Sequence, residues 1–112
     1  MTGTPTDQTA GTTFSVDVRA VDPFFNTDTT EVSAITVATS DSNDTEPVTP
    51  VVYTSGLASF NITNTTASSS QSITPTTAGL TSNVSSNYDV LSGAASQIIA
   101  ILPGQSHNPG VS

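Results

Sequence analysis

Three observations predict an all-β chain folded as an antiparallel β-sandwich of about seven strands. Apolar and polar residues alternate with period two along several stretches, no segment holds a helical period, and Gly or Pro interrupts the pattern about every ten residues. Short strands at that spacing, with turn residues between them, close most readily as two facing sheets, with a small barrel as the competing arrangement.

Met1–Gln8 is rich in Thr, Gly and Pro and reads as an extended lead-in. From Thr13 the alternation is strict: Phe14, Val16, Val18 and Ala20 share one parity, while Ser15, Asp17 and Arg19 take the other. That is a half-buried strand, and Asp22-Pro23 ends it because proline lacks an N–H for the ladder and restricts the residue before it. Asn26–Thr30 is turn material. Ser33–Thr39 predicts the next strand, with Ile35 and Val37 inward. Ser40–Pro47 is an acidic loop, and Thr49–Tyr53 a short strand kept near an edge by Pro47 and Pro50.

After a turn at Ser55-Gly56, Leu57–Thr63 predicts a strand with Ala58, Phe60 and Ile62 on one face. Asn64–Ser70 has no large apolar residue and reads as a loop. Ile73–Thr77 is a strand interrupted by Pro75, and Val84–Val90 another, with Val84, Tyr88 and Val90 on one parity. Gln97, Ile98, Ile99, Ala100, Ile101 and Leu102 then form the most apolar stretch of the chain. Consecutive apolar residues predict a strand covered on both faces. This strand is either the last of this domain or a junction strand that pairs with a neighbouring domain or chain. The organisation expected is therefore a sandwich over residues 1–93 and a junction strand and linker over residues 94–112.

Composition narrows the function. Thr and Ser make up about a third of the 112 residues, Lys is absent, and the net charge is -8 with Arg19 as the single strong base. Such a surface repels phosphate backbones and anionic headgroups, so neither nucleic acid nor a membrane surface is an expected partner. The run Ile98–Leu102 is too short to span a bilayer, and residues 1–15 have neither the basic start nor the apolar stretch of a targeting peptide. Without Cys there is no disulfide, thiolate nucleophile or Cys-based metal site, and without Lys no isopeptide crosslink. Val, Ile, Leu and Phe total 25 residues, enough for a thin core that β-branched side chains stiffen.

Two loops concentrate polar side chains. Asp41, Asn43, Asp44 and Glu46 place four oxygen-bearing groups within six residues, a density suited to a hard cation such as Ca²⁺, although the glycine and closing glutamate of an EF-hand are missing. Asp22, Phe24, Phe25, Asn26 and Asp28 combine aromatic rings with planar polar groups, the materials of a carbohydrate or cation site. Adjacent strand residues face opposite sides, so at least one of Phe24 and Phe25 is expected in the core or as an interdomain plug. Catalysis is not expected: there is no G-x-S-x-G elbow, and His107, the one imidazole, lies in an unpatterned tail.

Several segments carry a family resemblance. Thr2-Gly3-Thr4-Pro5, the run Gln8-Thr9-Ala10-Gly11-Thr12-Thr13-Phe14-Ser15-Val16, and Val18 to Asp22 resemble the opening of bacterial immunoglobulin-like tandem repeats, similar to the invasin and intimin type, found in very long surface and secreted proteins. The resemblance continues through Thr39-Ser40-Asp41, through Gly56, Ala58 and Phe60, and through Thr77-Ala78-Gly79, Leu102-Pro103-Gly104 and Pro109-Gly110. It implies an immunoglobulin-like fold and a structural repeat of an extracellular bacterial stalk, adhesin or filament, whose partners are neighbouring repeats or identical subunits. In such arrays the P-G-x-x-x-x-P-G segment precedes T-G-T-P, so Ala94–Leu102 resembles the opening strand of a following repeat. A calcium- or carbohydrate-binding module of a surface protein is the alternative that the two polar loops offer.

Overall fold

The computed structural model describes residues 2–46 and 50–111. Pro47 of the acidic loop, Thr49 of the short strand and the terminal Met1 and Ser112 lie outside the described residues. No helix occurs among the described residues, and eight strands follow one another as β1 Gln8–Thr9, β2 Phe14–Arg19, β3 Ala34–Thr39, β4 Val51–Val52, β5 Leu57–Ile62, β6 Ser68–Gln71, β7 Ile73–Thr77 and β8 Tyr88–Leu91. They assemble into three sheets, ordered β1-β8-β6, β2-β5 and β4-β3-β7. Every pairing is antiparallel except β1 with β8, where Gln8 faces Val90 and Thr9 faces Leu91 in parallel.

The two long pairings follow from the alternation. β2 and β5 match residue for residue from Phe14 opposite Ile62 to Arg19 opposite Leu57, which sends Ala58, Phe60 and Ile62 into the core. In the same way β3 buries Ile35 and Val37. It pairs with β7 so that Val37 lies opposite Pro75. Pro75 is tolerated because β7 is the outer strand of its sheet, where a missing N–H breaks no second ladder. β4 and β5 are joined at Ser55-Gly56, with φ of 51° and 73°, a two-residue turn of the type whose twist matches the flanking strands. Thr54 and Leu57 exchange both backbone hydrogen bonds across it.

All three sheets contribute to one core. Phe60, Ile35 and Ile62 are its most completely buried apolar side chains, joined by Val37, Ile73, Tyr88 and Val90. Each large aliphatic or aromatic chain so placed contributes about 1.5–3 kcal/mol of transfer free energy. Phe14 meets Tyr88 edge to face at 5.7 Å between ring centroids, which ties β2 to β8.

Several sequence expectations are corrected. Phe14, Val16 and Val18 are only half-buried and pack on the rim of the core rather than within it. Ser68, Ser69 and Ser70, expected within a loop, belong to β6, which runs to Gln71 against β8 with a register irregularity between Ser68 and Gln71. Val84 is exposed and precedes β8, which starts at Tyr88. Gln97–Leu102 is not a strand of this domain: residues 92–111 carry no strand, and Ile98 is fully exposed. Apolar character sets what a strand can bury, but a strand forms only where a partner edge meets it.

Candidate functional site

The acidic loop is organised by a buried carboxylate. Asp41, 4% exposed, accepts the Asn43 backbone N–H on Oδ1 at 3.0 Å and those of Thr65 and Thr66 on Oδ2 at 2.9 Å each. Asn43 Nδ2 donates to the Thr66 hydroxyl, and the Thr65 hydroxyl donates to the Asn43 carbonyl at 2.6 Å. Asp44 and Glu46 turn instead to Thr39, accepting from its hydroxyl at 2.6 Å and its N–H at 3.0 Å. The four predicted oxygen-bearing residues thus lie in one loop but serve two anchors, the Thr65-Thr66 backbone and Thr39. Among the described residues no group of three or more His, Cys, Asp or Glu is placed to hold a metal ion.

Electrostatics within the loop divide in the same way. Burial pushes the Asp41 carboxyl up, but the N–H groups of Thr66, Asn43 and Thr65 together outweigh it and hold the group below the usual carboxylate range. Glu46 moves the other way, raised by burial and by the neighbouring Asp44 charge against the single Thr39 N–H. Opposite shifts in one loop mark Asp41 as the group that the fold solvates and Glu46 as one it does not.

The second polar loop is a tight turn. Asp22 Oδ1 accepts the N–H groups of Phe24 and Asn26, Oδ2 accepts Asn26 Nδ2, each at 2.9 Å, and Val21 bridges to Thr27. Asp28 Oδ1 caps Thr30 through its N–H and hydroxyl. These bonds, from Asn26 above all for Asp22 and from Thr30 for Asp28, hold both carboxyls low. Phe24 and Phe25 are 81% and 71% exposed, so neither enters the core, which was one of the two places expected, the other being an interdomain plug. The turn points both rings away from the sheets. Phe25 is at φ 66°, the left-handed region that bulky side chains seldom occupy.

A third group was invisible to pattern reading. Asn64, 1% exposed, accepts the Tyr88 hydroxyl at 2.8 Å, while its Nδ2 is buried without a partner. Gln71 is also buried and accepts the Ser40 hydroxyl. Both sit in Ser/Thr-rich stretches where no apolar parity marks an inward position, so only the fold reveals them.

The tail completes the inventory. Ile98, Ile99, Ile101 and Leu102 are all exposed, and no charged side chain follows Asp89. Its far end returns to the acidic loop, where the Gly110 carbonyl lies 3.3 Å from the Thr65 hydroxyl oxygen, whose proton goes to Asn43. Gly110, at φ 81°, lies so close to Thr66 that a Cβ would overlap the threonine hydroxyl.

No protein-family model matches this chain, and no curated protein or solved structure is significantly similar to it.

Proposed function

We propose that the chain is one immunoglobulin-like unit of an extracellular bacterial stalk, adhesin or filament, a spacer joined to its neighbours through end-to-end, strand-donating contacts. The observation that carries this reading is the uncharged apolar segment Gln97–Leu102, exposed and unpaired on a chain whose net charge is -8. Exposed apolar surface of this kind marks an interaction segment, and an extended segment satisfies its backbone by joining a sheet edge. The immunoglobulin-like assignment draws support from the parallel first and last strands, the β2-β5 pair, and β3 held between β4 and β7. The Thr- and Ser-coated, acidic exterior suits a domain that stays soluble while repeated many times. Small-angle scattering over rising protein concentration tests the reading. Particles that lengthen without thickening are expected, and a compact monomer at every concentration would sink it.

Carbohydrate binding at the Asp22–Asp28 turn is the second reading, favoured by the paired exposure of Phe24 and Phe25 beside Asp22 and Asn26. Rings held out to solvent can stack on a sugar face while the amide and carboxylate take its hydroxyls. A glycan array with the native chain and with Phe24→Ser and Phe25→Ser decides it, since binding must be present in the first and absent from the variants.

A further inference from the structure

The open edge of β2 is the acceptor for the tail. Backbone parity shows which groups it offers. Leu57 and Thr63 direct their N–H and C=O groups to Thr54 and Thr45, on the side of β5 away from β2, so Ala58, Phe60 and Ile62 face β2. Their partners Val18, Val16 and Phe14 therefore use their backbone groups on β5, and Ser15, Asp17 and Arg19 turn theirs outward. Among the described residues no strand pairs with that outward side. The inward row Phe14, Val16 and Val18 is half-exposed. Beside it runs a groove of about 400 Å³ whose lining includes Phe14, Val16, Ile73 and Tyr88 together with Thr4 and Pro5 of the lead-in.

We infer that this edge and groove receive Gln97–Leu102 of a second copy of the chain, an inference that rests on the strand-joining role proposed above. The donor has six residues and so does β2, each about 20 Å long when extended. The donor carries no charge, so it brings no carboxylate onto an acidic surface. The other open edges fit it less well: β1 and β4 have two residues each, the outer side of β5 is engaged at its two ends by Thr54 and Thr45, β6 reads Ser-Ser-Ser-Gln, and β7 contains Pro75. Occupation by the same copy is disfavoured by the arrangement of the tail, whose Ile98 stands fully exposed while Gly110 lies against Thr65 and Thr66. Docking gives the three outward N–H groups acceptors and covers the exposed row of β2.

Sedimentation across a wide concentration range, combined with residue-resolved amide exchange on the full chain, tests the inference. Association is expected to slow exchange at Ser15, Asp17 and Arg19 by about tenfold or more. Ile98→Asp with Ile99→Asp, placed on exposed positions, should abolish both association and that protection. Ser15→Pro, which removes an edge N–H and no β5 bond, should weaken association. If it fails to fold, the exchange pattern of the native chain still decides. Association lost in the tail variant but with protection arising on another strand overturns the β2 acceptor and leaves strand joining intact. Protection of the three amides in a monomer at every concentration overturns the second copy in favour of the chain's own tail. A monomer with no such protection, and no binding of a synthetic Ser96–Leu102 peptide, overturns both this inference and the joining role.

Discussion

The Tyr88 hydroxyl donates a 2.8 Å hydrogen bond to the Asn64 side-chain carbonyl, linking the last strand to the segment after β5 inside the core. Burial pushes the Tyr88 phenol up, so it stays a donor throughout the neutral range. Tyr88→Phe should therefore cost about 1–3 kcal/mol, because Asn64 would be buried with both its amide atoms unpartnered. Asn64→Leu combined with Tyr88→Phe should recover most of that loss. Urea midpoints of the single and double variants check the sign of the coupling.

Asp41 makes stability pH-dependent in a fixed direction. Its folded pKa lies below the unfolded value near 4, so its contribution is fully present above about pH 4 and is lost as pH falls through the lower folded value. Asp41→Asn should lower the unfolding free energy at pH 7 by about 1.5–3 kcal/mol for the loss of charged hydrogen bonding, and should flatten the acid limb of the profile. Denaturant melts from pH 2 to 7 on both proteins measure this.

Glu46 should show the opposite sign. Its folded pKa is raised, so its ionised form weakens the fold above that pKa and the penalty disappears as pH falls below the unfolded value near 4.3. Glu46→Gln, which keeps an acceptor for the Thr39 N–H, should be neutral or slightly stabilising at pH 7 and lose any advantage at pH 4. The same melts read it out.

Gly56 and Gly79 both sit at positive φ, at 73° and 83°, yet only Gly56 is crowded. A Cβ there would lie 2.9 Å from the Asp28 carbonyl carbon and closer still to its oxygen, whereas Gly79 has open space. Gly79→Ala should cost about 1–2 kcal/mol from backbone strain alone. Gly56→Ala should cost clearly more, since backbone must move, and comparing the two thermal midpoints isolates the clash.

Phe25→Gly should stabilise the chain by roughly 1 kcal/mol by relieving left-handed strain, while Phe24→Ser should leave stability within about 0.5 kcal/mol. A loss in both variants would place the rings in a folded contact that their exposure does not show.

Strands whose buried face is apolar were legible from sequence alone. Ile35 and Val37, and Ala58, Phe60 and Ile62, mark β3 and β5 because period-two alternation is the direct imprint of a one-sided core. β6 was not legible, since Ser68, Ser69 and Ser70 are exposed and only Gln71, a polar residue, turns inward. The acidic loop was visible as a density of oxygens. Its role was not, because the amides that claim Asp41 belong to Thr65 and Thr66, more than twenty residues further along. The two readings of the tail, a last strand of this domain or a junction strand, were inseparable for a related reason: sequence shows the apolar segment but not whether an edge of its own domain meets it.

The parallel pairing of β1 with β8 has a mechanical consequence. Because the two strands run in the same direction, the chain enters β1 and leaves β8 at opposite ends of their short ladder. Tension between the two termini slides one strand along the other and strains the contacts from Gln8–Val90 to the Ala10–Leu91 hydrogen bond at the same moment. Antiparallel terminal strands would place both ends at one edge and peel open one bond at a time. Pulling on the two ends of this chain would therefore load the ladder in shear, with its contacts sharing the force.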